Sequence, residues 1–319
     1  MITDTSNIIY IDPDTERERW LTYRKSGIGG SDVAGICGIS PWSSPVKVYM
    51  DKIGEDINTE EKEYLKWGRL LESPIAREYE NRTNKQFKRI AGVLQHREYP
   101  WAIGSLDGEY ESKESRGVLE IKTLNPFHLS DWSDELVPDH YMTQVQWYLF
   151  LTGYRLADIA VLVGGQKLIL REGIKRNDEI IRNLVQICER FWREYVIPRN
   201  PPPVDESEVS TRLLNTMYPE SSRTTIELGS TGGDLHTKLH KVNNCIKELE
   251  KEKRLYENKL KEMLKTNEVG TINGKEAVTW KASDIQRLNT NMLKQQYHDI
   301  YKHCLMSSRQ RRFLLKGEI

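Results

Sequence analysis

No helix or interior strand can run through Pro198-Arg199-Asn200-Pro201-Pro202-Pro203. Each proline fixes φ and lacks the backbone N–H that a helix or a sheet ladder needs, so this run ends whatever precedes it. It divides the 319-residue chain into two expected domains, 1–204 and 205–319. The two parts differ in periodicity. Before the break, helical and alternating patterns mix, which predicts an α/β domain. After it, Leu239, Val242, Ile246, Leu249, Tyr256, Leu260 and Met263 follow alternating steps of three and four, with Lys253 interrupting the seam. That is heptad spacing, expected of a long helix that packs against a partner helix, so the second part reads as a helical, coiled-coil-like extension. Between 238 and 265 this helix carries nine Lys or Arg against five Glu, an excess that suits either a DNA-facing side or the solvated side of a coiled coil.

Within the first part, helices are expected at 16–23, 44–53, 60–81, 139–152 and 178–195, with a short one from Ser31 inside a glycine-rich stretch and Asn177 as a cap. Among the apolar positions of the 60–81 helix are Leu65, Ile75 and Tyr79. Strands are expected at 85–93, 98–103, 106–110, 118–123, 157–163 and 167–174, the last two joined through Gly164-Gly165. In the second part, Asn273-Gly274 marks a hairpin between 268–272 and 276–281, followed by a helix near 290–306 and a strand-like 312–316.

The residues with the most chemistry sit on two neighbouring strands. Gly104-Ser105-Leu106-Asp107-Gly108 is followed, across the polar turn 111–116, by Leu119-Glu120-Ile121-Lys122. If Tyr110 pairs with Gly117, Asp107 falls opposite Glu120, and opposed side chains lie roughly 5 Å apart. Alternation then sends Glu120 and Lys122 to one face and Leu119 and Ile121 to the other. Two carboxylates that close repel unless a cation stands between them, and hard oxygen ligands with open positions suit Mg²⁺. A lysine beside them can position a water or steady charge developing on a phosphate, the arrangement of metal-dependent phosphodiester hydrolysis. Taken alone, the pattern also fits an ordinary surface strand that alternates charged and apolar residues.

Other segments add to it. Trp67-Gly68-Arg69-Leu70-Leu71-Glu72 puts a carboxylate on a helix upstream, within possible reach of a metal or exposed to solvent. Gln144 and Tyr148, four apart, share a helix face that Gln146 does not, and an amide there can orient a water or hold the lysine. Arg24 precedes Gly27-Ile28-Gly29-Gly30-Ser31-Asp32. Arg24 and Ser31 could clamp a phosphate, while the plainer expectation is a helix capped by Ser31 or Asp32 with Gly30 as turn. No nucleotide-loop motif is present, so ATP binding is not implied. His96, His128 and His140 lack metal-ligand spacing and read as surface or partner histidines, and Trp42, Trp101, Trp132 and Trp147 suit either base stacking or the core.

The order and spacing of five segments resemble the YqaJ-type viral recombinases, in the lambda-exonuclease branch of the PD-(D/E)xK nuclease superfamily. They are Arg24 with Ser31, Trp67-Gly68 ahead of Glu72, Ser105-Leu106-Asp107-Gly108, Leu119-Glu120-Ile121-Lys122 and Tyr141-Met142-Thr143-Gln144-Val145-Gln146, and the likeness spans roughly residues 20–197. The resemblance implies a nuclease core, a central mixed sheet flanked by helices, with two Mg²⁺ ions for which Mn²⁺ can substitute. By the same resemblance Asp107 and Glu120 are shared metal ligands, the Ile121 carbonyl adds an oxygen and Glu72 supports the second metal. Lys122 positions or activates the water, Gln144 holds that arrangement, and Arg24 and Ser31 capture a 5′-phosphate. Leu106 stands where the family often has its name-giving proline, a position that shapes the turn rather than the chemistry. The implied activity is 5′→3′ digestion of linear double-stranded DNA, leaving a 3′ single strand for a RecT-like annealing protein, by an enzyme that is commonly a ring-shaped homotrimer. Two alternatives carry different tests. An endonuclease or repair nuclease of the same superfamily would cut closed circular DNA, and a catalytically silent DNA-end-binding scaffold would show no metal dependence.

Composition sets limits on these readings. A 38% hydrophobic and 29% charged chain with zero formal net charge is that of a globular protein without a global basic field, which counts against a passive DNA binder but not against an enzyme with local basic groups. Four scattered cysteines without a C-x-x-C pair argue against a zinc or iron–sulfur site and against disulfides. With no membrane-length apolar run and no secretory pattern at the N-terminus, the expected location is cytoplasmic.

Overall fold

The computed structural model describes residues 5–12, 15–54, 63–132, 136–284, 286–306 and 311–317. It divides into two compact units, Met1–Met217 and Tyr218–Ile319. The first unit opens with β1 (Ser6–Ile9), α1 (Arg17–Arg24), α2 (Gly30–Ile36), α3 (Pro45–Ile53) and α4 (Glu63–Thr83). Next come β2 (Gln86–Arg89), β3 (Val93–His96), β4 (Ile103–Gly104), β5 (Gly108–Glu111), β6 (Arg116–Leu124) and a 3₁₀ segment (Pro126–Trp132). The unit closes with α5 (Asp139–Thr152), β7 (Leu156–Val163), β8 (Lys167–Lys175), α6 (Asp178–Phe191), continued by a π turn at Trp192–Val196, and α7 (Glu208–Met217). Leu213 of α7 is buried in this unit's core, and the division falls beyond it.

Five strands form a mixed sheet in the order β2-β5-β6-β7-β8. β6 and β7 are parallel and the other neighbours antiparallel. The parallel step is bridged by α5, as such a crossover requires. Side-chain alternation on β6 sorts the core into two. Leu119 and Ile121 pack with Ile75, Ala76 and Tyr79 of α4 on one face. Val118 packs on the other face with Val145 and Leu149 of α5 and with Ile28 and Val33 around α2. Burying each such side chain contributes about 1.5–3 kcal/mol, enough to fix the register, since a one-residue slip would bury Glu120 and Lys122 against α4 instead.

Local signals set several boundaries. Ser44 Oγ accepts from the Lys47 N–H at the start of α3, where Pro45 occupies the first turn. Asn177 Oδ1 accepts the N–H groups of Glu179 and Ile180, as its capping position predicts. The 85–93 strand is instead two strands in different sheets, because Gly92, at φ 157°, turns the chain between β2 and β3, and β3 pairs with β1. Of the strand expected at 98–103 only Ile103 lies in a strand, the two-residue Ile103–Gly104. The expected start of the fourth helix at 60 lies outside the described residues, and Leu65 is exposed while Ile75 and Tyr79 are buried.

The second unit contains α8 (Gly229–Leu264), β9 (Val269–Ile272), β10 (Lys275–Thr279), α9 (Thr290–Gln296) and α10 (His298–His303). Asn273 and Gly274, at φ 52° and 77°, make the two-residue turn between β9 and β10. The heptad seam of α8 lies open, with Val242, Ile246, Leu249, Tyr256 and Met263 all exposed among the described residues. The 290–306 helix is broken at Tyr297, and residues 311–316 form no strand.

Candidate active site

The β5–β6 pairing places Tyr110 opposite Gly117 and Gly108 opposite Leu119, the register read from the sequence. Asp107 stands one residue before β5 begins, and its Oδ2 accepts the backbone N–H of Ile121 at 2.7 Å. That bond fixes one carboxylate oxygen and leaves the other for the cleft that Asp107 lines. Glu120, two per cent exposed, points to the α5 side of β6. Its Oε1 receives the Lys122 ammonium at 2.5 Å and the Gln144 amide at 2.7 Å. Its Oε2 is buried with no hydrogen-bond partner among the described residues. A buried carboxylate oxygen left unpaired costs about 1–3 kcal/mol or more, so this atom marks a place for a positive ligand.

Gln144 is held in turn by its second bond, 2.9 Å to the Tyr148 hydroxyl, which donates to the Ser105 carbonyl at 3.0 Å. Gln146, on another face of α5, bonds the Lys175 carbonyl and the Asn177 N–H, a structural role. The close approach of α2 to this network depends on Gly30, where a Cβ would stand 2.6 Å from the Tyr148 ring.

Charge within the cluster is unbalanced. Burial, then repulsion from Asp107 and Glu72, outweigh the pull of Lys122 and push the Glu120 carboxyl up to about 8. Asp107 is raised for the same first reason, against Lys122 and the Ile121 N–H. Burial opposes the charge on Lys122, but Glu120 and Asp107 more than offset it and raise the ammonium to about 12. Lys122 is therefore a hydrogen-bond donor and a fixed positive charge at neutral pH.

Arg24, at the end of α1, lines the same cleft as Ser31, Asp107, Glu120, Lys122 and Gln144. Its Nη2 donates to Ser31 Oγ at 3.0 Å, and its guanidinium lies 4.8 Å from the centre of the Trp20 ring. Gly29, not Ser31 or Asp32, is the N-cap of α2; Asp32, at the third helical position, completes the cap by accepting the Gly29 N–H, and Ser31 faces the cleft. Glu72, on α4, is partly buried and within electrostatic range of Glu120. Among the described residues no three His, Cys, Asp or Glu side chains gather closely enough to hold a metal. A cation here would rest on Asp107 and Glu120 with backbone and water oxygens, as suits Mg²⁺, which keeps several waters. The orphaned Glu120 oxygen and the raised carboxyls fit such an ion.

Sequence reasoning gave Trp20 no role, although it lies four residues before Arg24 on one helix and its indole N–H donates to Ser105 Oγ at 2.9 Å. His96 is buried, stacked on Phe150, with Nδ1 accepting two backbone N–H groups, so it is structural rather than a surface residue. Trp132 and Trp147 are core residues, and Trp42 is exposed beside His140.

Residues 19–155 match the sequence model of the YqaJ-like viral recombinase domain. The chain is 31% identical over 320 residues to the uncharacterized protein YqaJ of Bacillus subtilis (strain 168), an alignment that covers 99% of each. Among solved structures it is similar to the alkaline exonuclease LHK-Exo of Laribacter hongkongensis, at 18% identity and a TM-score of 0.48 over 63% of this chain and 99% of that one. It is also similar to a phage-related exonuclease of Haemophilus somnus 129PT, at 14% identity and a TM-score of 0.41 over 54% of this chain and 96% of that one.

Proposed function

Since the chain belongs to the YqaJ-like viral recombinase family, we propose that it is a divalent-metal-dependent deoxyribonuclease that digests linear double-stranded DNA 5′→3′ and leaves 3′ single strands for recombination by annealing. The observation that carries this reading is the buried Glu120 Oε2, without a hydrogen-bond partner among the described residues, beside Asp107 and the protonated Lys122. Passive end binding calls for cations but not for a strained carboxylate pair. Bound Mg²⁺ would neutralise the scissile phosphate, make hydroxide available near neutral pH and stabilise the departing 3′-oxygen.

The chain's own groups do the rest. Asp107 and Glu120, with the Ile121 carbonyl, would hold the ions, and Glu72 would join through water. Lys122 presents its ammonium to the attacked phosphate or to the water, in a position set by its bond to Glu120. Gln144 and Tyr148 keep Glu120 from turning away. Arg24 and Ser31 would grip the terminal 5′-phosphate in the same cleft, which places the first phosphodiester against the carboxylates. A RecT-like annealing protein would take the single strand, a homotrimeric ring would keep the enzyme on its substrate, and the reaction would run in the cytoplasm. No helix among the described residues is long and apolar enough to cross a membrane.

The test uses linear duplex labelled at either the 5′ or the 3′ end and digested with Mg²⁺. Early release of the 5′ label, with closed circular DNA left intact, is the expected result. Early release of the 3′ label, or cutting of the circle, contradicts the polarity or the exonuclease reading.

A further inference from the structure

Lys52 of α3 carries a side chain wholly enclosed by protein, and folding brings it to Arg24, 28 residues away in sequence. Its ammonium reaches three acceptors: Asp32 Oδ2 at 2.6 Å, the Arg24 backbone carbonyl at 2.9 Å and Asp51 Oδ2 at 3.5 Å. A buried ammonium persists only where acceptors enclose it, and these come from three elements that converge behind the Arg24–Ser31 cleft. Lys52 does not line that cleft.

Asp32 is shared between two cations. Lys52 holds it at 2.6 Å, whereas Arg24 Nη2 stands 3.8 Å from its other oxygen. The same Arg24 nitrogen bonds Ser31 Oγ at 3.0 Å. Burial raises the Asp32 carboxyl, but Lys52 and then Arg24 more than offset that and leave it lowered, so it is ionised and in need of a counter-charge. The shorter, enclosed pair satisfies Asp32 and leaves the partly exposed guanidinium of Arg24 turned to Ser31.

We propose that Lys52 is a positioning residue for the 5′-phosphate pocket, neutralising Asp32 and tethering the Arg24 carbonyl so that the Arg24 guanidinium stays available to the phosphate. This rests on the reading of Arg24 and Ser31 given above. Without the ammonium, Asp32 becomes a buried carboxylate whose nearest cation is Arg24, and the guanidinium is drawn onto it and away from the cleft.

The experiment compares KM and kcat on 5′-phosphorylated and 5′-hydroxyl linear duplexes for wild type, Lys52→Met, Lys52→Gln, Lys52→Arg and the double variant Lys52→Met/Asp32→Asn. Lys52→Gln can still donate to Asp32 and to the carbonyl, which keeps a foldable neutral variant available. Both neutral variants are expected to raise KM for the phosphorylated end about 10-fold, with kcat within about 2-fold and the 5′-hydroxyl substrate unaffected. Lys52→Arg keeps the charge and most of the preference. In the double variant no carboxylate captures Arg24, and the preference returns to within about 3-fold of wild type. A purely structural role would lower the folded fraction for both substrates alike and leave the KM ratio unmoved. A wild-type preference that survives in both neutral variants overturns this inference alone, as does a double variant no better than Lys52→Met. Equal handling of the two ends by wild type overturns the pocket reading, and this inference with it.

Discussion

Two buried acids stand on adjacent strands of one sheet and meet opposite fates. Asp158 of β7 pairs in register with Leu119, the neighbour of Glu120 on β6. Its oxygens accept the Tyr79 hydroxyl and the Lys85 ammonium, both at 2.5 Å, and the Gly173 N–H at 2.8 Å. Glu120 is as deeply enclosed, yet its Oε2 has no partner among the described residues, and it shares its surroundings with a second carboxylate. Both have a lysine close by. What separates them is satisfaction: the Asp158 cluster closes on itself, as a structural network must, whereas the Glu120 cluster leaves one oxygen unpaired among the described residues, which the proposed cation would fill. The difference puts the satisfied cluster on the α4 face of the sheet and the unsatisfied one on the α5 face, where the proposed chemistry would run.

Breaking each cluster should therefore give different losses. The largest effect is expected from Lys122→Ala or Asp107→Ala, each lowering digestion of linear duplex by about 10³-fold or more while DNA binding, measured by gel shift in Ca²⁺, largely survives. Loss of binding with chemistry intact per bound complex would reverse the roles assigned here. Asp158→Asn should do the opposite. It strips Tyr79 and Lys85 of their shared acceptor and should cost about 3 kcal/mol in urea unfolding, with specific activity of the folded fraction within about 3-fold of wild type. Arg24→Ala comes next, with about 10-fold loss of preference for a phosphorylated 5′ end and little change in metal dependence.

The smallest effect concerns pH. In the unfolded chain Glu120 ionises near its ordinary 4.5, but the folded, cation-free protein holds the proton until about 8. Its ionisation therefore costs folding stability progressively between those values and in full above them. Glu120→Gln removes that cost. In EDTA the variant should match wild type in Tm below about pH 4.5 and exceed it by a margin that grows as the pH rises to 8. A Tm difference that is constant across the range would mean that Glu120 is not perturbed.

The site hairpin was legible in the sequence because its polar turn and strict alternation leave one sensible register, and Tyr110 with Gly117 is that register. The α5 boundaries and the Asn177 cap were legible for the same reason, strong local signals with little competition. Legibility failed where partners are distant or the element is short. β1 is four residues long and exists through its pairing with β3 some ninety residues on. The split at Gly92 depends on a backbone angle that alternation does not encode. Lys52 drew no reading from the sequence, because nothing in its neighbourhood announces Asp32 and Arg24 as partners. The heptad seam of α8 was read correctly as an apolar stripe, but the helix expected to cover it is absent among the described residues.

Calorimetric titration of Mg²⁺ into wild type, Glu120→Gln and Asp158→Asn at pH 8 tests the contrast most directly. The account predicts saturable binding by wild type and by folded Asp158→Asn, and its loss in Glu120→Gln. Binding by Glu120→Gln as tight as by wild type would contradict it.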